Sequence, residues 1–447
     1  MSLIIKKLRF IYLFLQVLFQ RHFRYIIFGF LIGFFVFFIT NAISPIFSKL
    51  FLERKNTVGI VGTYNFSNLP IPIERFISLG LTDVSDDDEP IAALAEKWET
   101  TNDGKTYIFH LKNDIFWHDG MRFTAYDVNY RLKDAKLIPV DNNTLKIEMK
   151  EPFAPLPVLF SKPILKKTFI GVGPYKVRSF KFKGDHLTQL ILSSIMSGGD
   201  EINYKFYPSY EEAKLAFKLG EVNSLEDWPT YDDFTAWKAR VEEKTLYNRL
   251  FAVFFNTKDS FLKQKEVRQA LNFAIPNFPD FEETFTPISP LSWAYYNKVR
   301  LYKYDPDNAE KILKKVGAST SSAELKLTTF PLDMKVAEKI ANSWKKVGVN
   351  VTIRVVNSTP SDYQAILLSQ DLSPDPDQYF LWQATQDSTN LSRYSNQKID
   401  MLLETGRRTI DKDKRTKIYA DFQRYLVDDA PVAFLYYPKV YRITRRY

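Results

Sequence analysis

The chain has 447 residues, more than a single domain usually holds, so two or more lobes are expected. Apolar residues make up 45% and aromatic residues 15%, which excludes compositional disorder and allows a sizeable core. The formal net charge is +9 and cysteine is absent, which excludes disulfides, a thiol nucleophile, Cys-based zinc sites and a lipidated N-terminal Cys.

The positive charge is concentrated in the leader. Residues 1–55 contain eight Lys/Arg and one Glu, so they carry +7 and the remainder only +2. No basic stripe with interleaved aromatics runs through the body, so no nucleic-acid partner is expected. Residues 1–24 read as a basic cytoplasmic segment with Lys6, Lys7, Arg9, Arg21 and Arg24. Residues 25–48, Tyr25 to Ser48, have no charged side chain and predict a transmembrane helix. At about 1.5 Å per residue, about nineteen apolar residues cross the roughly 30 Å core of a bilayer. The preceding basic residues put the N-terminus in the cytoplasm and the body outside, in an extracellular or periplasmic space. A cleaved signal peptide is the alternative. Its apolar region would be shorter and end in small residues, whereas Asn41-Ala42-Ile43-Ser44 is a poor cleavage site.

In the body, NTVGIVGTYNF reads as a first strand, and Asp83 with Asp86-Asp87-Asp88-Glu89 as a solvated acidic loop without EF-hand spacing. Tyr107, Phe109 and Leu111 alternate as in a half-buried strand between turns at Asn102–Lys105 and Asp119-Gly120. Thr124 can cap a helix through Asp127. His118-Asp119 looks like an acid–base pair, but its position in a hairpin makes it scaffold. A strand follows at Thr144–Leu156, and Gly171-Val172-Gly173-Pro174 leads into another at Gly173–Phe182, so this GxG is no dinucleotide loop. Tyr210–Asn223 predicts an amphipathic helix stopped by Gly220. FAVFFNT is a buried strand, and Val267, Ala270, Leu271 and Ala274 give the next helix a core face. Asp305-Pro306 starts a helix that Gly317 ends, and LKLTTF with Ala337–Val356 completes a βαβ unit.

The stretch Pro90–Asp134, the Gly-x-Gly-Pro-Tyr run, the segment Leu250–Ile275 and YKYDPDNAEKILKKVGA occur in an order that resembles the family 5 extracellular solute-binding proteins of ABC importers. The likeness covers about Thr57 to Tyr437. It implies an α/β, two-lobed periplasmic-binding-protein-like fold (type II, cluster C) behind the N-terminal transmembrane helix. The implied divisions are lobe I over 56–265 with an inserted subdomain at about 75–165, lobe II over 266–425, and a return to lobe I over 426–447. The chain is shorter than typical members after Lys136 and after Ile275, where the family continues into another helix and this sequence is broken by prolines.

The resemblance implies a membrane-tethered protein that captures a peptide or peptide-like solute between its lobes and delivers it to ABC importer permease subunits. A sensor without transport, or a binder of an oligosaccharide or metal chelate, is the alternative. Peptide-binding members use an Ala-Asp-Tyr-Pro-Asp-Pro run whose first Asp holds the peptide's amino terminus. Here the run is Asp371-Leu372-Ser373-Pro374-Asp375-Pro376, and Leu372 takes that position. Asp371 is the nearest ligand-binding carboxylate and Asp375 the second, with Trp382 and Tyr394 as walls. Phe254, Phe255, Asn256 and Phe434 are expected at the hinge. An enzyme is not expected, because no nucleophile elbow, HExxH or phosphate loop occurs. Catalytic residues, cofactors and metal ligands are accordingly none.

Overall fold

A computed structural model describes residues 56–237, 239–317 and 324–446, together with Tyr12, Gln16, Arg21–Phe23, Phe28, Gly29 and Gly33–Phe35 of the leader. The chain divides into two compact units, Met1–Asn56 and Thr57–Tyr447. The expected cytoplasmic segment and transmembrane span fall almost wholly outside the described residues. Among the described residues, no helix is long and apolar enough to cross a membrane.

The second unit is built on two large sheets. The first has seven described strands, in the order Arg240–Thr245, Lys439–Thr444, Ser224–Trp228, Asn56–Val61, Glu201–Tyr207, His186–Ser194 and Tyr175–Lys183. Asn56–Val61 runs parallel to Ser224–Trp228, and the helix Tyr210–Leu219 links the latter to Glu201–Tyr207. That helix starts at Ser209, whose hydroxyl accepts from the Glu212 amide, and ends at Gly220 with φ +79°. Inserted between Asn56–Val61 and Tyr175–Lys183 is a four-stranded antiparallel sheet, Ala95–Thr101, Thr106–Leu111, Thr144–Met149 and Ala135–Pro139, with Tyr107, Phe109, Leu145 and Ile147 in its core.

The second large sheet has six described strands: Glu282–Glu283, Val432–Tyr437, Arg249–Phe255, Ala365–Asp371, Glu324–Thr329 and Asn350–Val355. Its central strands are covered on both faces. Val253, Phe255 and Leu367 pack with Leu271, Ile340 and Trp344 from helices Lys265–Phe273 and Met334–Lys346. Ala252, Phe254, Ile366 and Leu368 pack with Leu403, Phe422 and Leu426 from Gln397–Arg408 and Lys412–Asp429. This is why FAVFF is apolar at every position rather than alternating.

Two boundaries differ from the sequence expectation. The chain changes sheets between Thr245 and Arg249, ahead of 265, because Arg249–Phe255 pairs along its whole length within the second sheet. The return falls at Pro438, after 426, because Val432–Tyr437 still pairs with Arg249–Phe255. The helix expected after Thr124 is a single 3₁₀ turn at Ala125–Asp127, capped reciprocally by Thr124 and Asp127.

Candidate functional site

The two sheets meet where the chain crosses twice, and the Leu246 amide donates to the Pro438 carbonyl at 2.8 Å. On the first-lobe side, the carboxyl end of Asn56–Val61 turns at Gly62, whose φ of +140° suits glycine. A Cβ there would also lie 2.6 Å from the Tyr64 hydroxyl. Tyr64 donates to the Val61 carbonyl at 3.1 Å, which turns its ring back over the strand end. The neighbouring strand Ser224–Trp228 has a register break between Leu225 and Trp228. Asp227 lies in that break with φ +52° and an exposed side chain. A bulge of this kind redirects side chains at a strand end. Tyr210, the first residue of its helix, meets the Trp228 ring edge-on at 5.0 Å.

On the second-lobe side, Ala365–Asp371 pairs with Arg249–Phe255 from Phe255↔Ala365 to Arg249↔Asp371. Its other neighbour, Glu324–Thr329, pairs only at Leu327↔Ala365 and Thr328↔Ile366. Beyond Ile366 this edge has no strand neighbour among the described residues. Arg249 Nε reaches Asp371 Oδ1 at 2.6 Å, and the Leu372 amide donates to the Asn248 carbonyl at 2.8 Å.

Electrostatics link the two sides. Burial raises the Tyr210 hydroxyl above the usual tyrosine range; the negative charge of Asp227 adds to this, and Arg249 opposes it. Tyr64 is raised for the same reasons: burial first, then Asp227. Asp227 thus acts on both tyrosines, and Arg249, paired with Asp371, acts on Tyr210. Carboxyl ends of strands in open α/β sheets are the usual place for ligands.

Away from the crossing, the inserted subdomain touches the second lobe. The Ala154 amide donates to the Arg407 carbonyl at 2.8 Å. The Arg407 guanidinium lies over the Tyr379 ring at 3.9 Å and the Phe153 ring at 5.2 Å. Glu89 pairs with Lys412. The acidic loop is therefore part of this contact.

Of the residues expected at the ligand site, only Asp371 is exposed. Asp371 lies at the seam, paired with Arg249. Asp375 is buried and accepts two bonds from Arg415. Trp382 and Tyr394 are 2% and 4% exposed, inside the second lobe's core. The Tyr394 hydroxyl donates to Asp429, which also accepts from Asn396 at 2.8 Å. Of the expected hinge residues, Phe254 and Phe255 are buried mid-sheet, Phe434 is paired in the same sheet, and Asn256 donates to the Tyr363 carbonyl at 2.9 Å. None of the four lies in the crossing itself, which is Leu246–Asn248 and Pro438. His118 has both ring nitrogens engaged by backbone: Nε2 donates to the Gly173 carbonyl at 2.9 Å and Nδ1 accepts from the Gly171 amide at 3.4 Å. Sequence reasoning missed Tyr64, Tyr210, Asp227 and Arg249. Only the position of Tyr64 just after a strand-ending glycine could have marked one of them.

The family model for bacterial extracellular solute-binding proteins, family 5, matches residues 89–139 and 132–392. The chain belongs to that family. The dipeptide-binding protein of Escherichia coli K12 is 23% identical to it, over 86% of each chain. The crystal structure of NikZ from Campylobacter jejuni in complex with Ni(L-His) superposes with a TM-score of 0.73 at 22% identity, over 88% of this chain and 94% of that one. AppA from Bacillus subtilis in complex with a nonapeptide gives 0.69 at 21% identity, over 87% and 94%. These likenesses show a two-lobed, mixed α/β periplasmic-binding-protein fold. The family 5 relatives compared are solute-binding proteins rather than enzymes.

Proposed function

We propose that this protein is a membrane-tethered extracellular binding protein that captures a peptide-like solute at the seam of its two lobes and hands it to an ABC importer permease. The observation that carries the ligand class is the open edge of Ala365–Asp371 beyond Ile366. An extended main chain can add to such an edge through backbone hydrogen bonds, which give affinity without demanding one side-chain sequence. Two lobes joined by two crossing segments suit closure around the ligand. The uncharged run Tyr25–Ser48 supports the tether.

One observation favours a second reading, a solute without a free amino terminus. Leu372, at the position where the peptide-binding run has its amine-holding Asp, is 6% exposed and packed into the core. The test is to purify the full chain in detergent, release its bound solute by mild denaturation and identify it by mass spectrometry. Peptides of mixed sequence support the first reading. A single non-peptide solute supports the second.

A further inference from the structure

A peptide-like ligand brings an ammonium group, and an ammonium taken out of water needs an anion and further polar or π partners. On the second-lobe side of the seam, Glu282 is engaged by the Tyr247 hydroxyl at 2.6 Å. Asp371 already faces the Arg249 guanidinium at 2.6 Å, so that pair is close to neutral, and Leu372 beside it is apolar and buried.

The first lobe offers a carboxylate outside such contacts. Asp227 is exposed, and its neighbour Glu226, not Asp227, pairs with Arg442 at 2.9 Å. Among the described residues, Asp227 makes no ion pair. Its backbone is in the left-handed region at φ +52°, inside the register break of Ser224–Trp228. A non-glycine residue held there stores strain, and such strain concentrates at ligand sites. Its charge reaches the Tyr64 and Tyr210 hydroxyls, and Tyr210 in turn senses Arg249 at the seam. Carboxylate and aromatic groups together are the chemistry that holds an ammonium, by charge and by attraction to the ring face.

We propose that Asp227, with Tyr64 and Tyr210, receives the ammonium group of a peptide-like ligand whose main chain lies along the open edge of Ala365–Asp371. This rests on the peptide reading above and adds an orientation: the amino end points into the first lobe.

The probes are trialanine and N-acetyl-trialanine, titrated against the full chain in detergent, for the parent and for Asp227→Asn, Asp227→Glu and Asp371→Asn. Thermal unfolding of each variant checks that it is folded. The expected result is a loss of about tenfold or more in trialanine affinity for Asp227→Asn, partial recovery for Asp227→Glu and little change for Asp371→Asn. N-acetyl-trialanine should bind the parent weakly and respond little to any of the three. If Asp227→Asn binds trialanine like the parent, or if the parent binds both probes equally, the ammonium site falls while the peptide reading stands. If the parent binds neither probe, the peptide reading falls and takes this proposal with it.

Discussion

Arg415 holds Asp375 through two bonds, Nη2 to Oδ1 at 2.7 Å and Nη1 to Oδ2 at 3.1 Å, with both side chains 6% exposed. Arg415 Nε also donates to the Gly406 carbonyl at 3.0 Å, so the pair ties the loop after Ala365–Asp371 to both helices beneath it. Burying two charges is expensive, and removing one partner strands the other. Asp375→Ala should therefore lower stability by about 3–5 kcal/mol in urea unfolding. Solute affinity of the fraction that remains folded should stay near the parent value. An unchanged unfolding midpoint would contradict the structural role.

Trp382 packs in the second lobe's core. Its ring stacks against Phe254 at 6.1 Å between centroids, and its Nε1 donates to Gln378 Oε1 at 3.3 Å. Truncation of a buried aromatic leaves a cavity, so Trp382→Ala should cost about 3–5 kcal/mol. Trp382→Phe should cost much less. Near-parent stability with lost affinity would move Trp382 back to the ligand.

The tether can be tested without knowledge of the ligand. Extraction of the native protein should need detergent, and protease added outside the cell should release a body beginning after Ser48. The basic residues before Tyr25 require the N-terminus to stay protected. A freely soluble protein with a new N-terminus near Ser44 would show a cleaved leader instead.

Much of the scaffold was legible because local chemistry determines it. Gly220 stops one helix, and Asp305, with Pro306 behind it, caps another by accepting from the Asn308 amide. The fully apolar FAVFF marks a strand covered on both faces. The Gly171 turn was also legible, although its reason was not: a Cβ there would lie 2.0 Å from the Ile77 carbonyl oxygen. The site was far less legible, because it depends on pairings distant in sequence. Arg249 and Asp371 meet only through strand register, and Asp375 is claimed by Arg415 from another helix. Asp227 looks like any surface acid until the register break sets its position. The expected ligand residues all follow Ala365–Asp371 within one stretch, Asp371 to Tyr394, whereas the seam draws on five separate segments.

The contact between the inserted subdomain and the second lobe should respond to pH through Asp88. This half-buried carboxyl is pushed up to about 6, chiefly by burial, with the Ser289 bond opposing the rise and Asp87 adding to it. Burial thus disfavours the ionised form. If the lobes part, Asp88 regains water and its ordinary value near 3.8. Closure then takes up a proton. Its extra stabilisation is complete below the ordinary carboxylate range and is lost as pH rises through about 6. Solvent screening of a half-buried group reduces the effect, so the closed population should change by about threefold to tenfold between pH 7 and pH 5. Small-angle scattering across this range should show a more compact body at pH 5. Asp88→Asn should stay compact at both values, because the amide cannot ionise. Equal pH dependence in parent and variant would show that Asp88 is buried within the subdomain whether or not the lobes close.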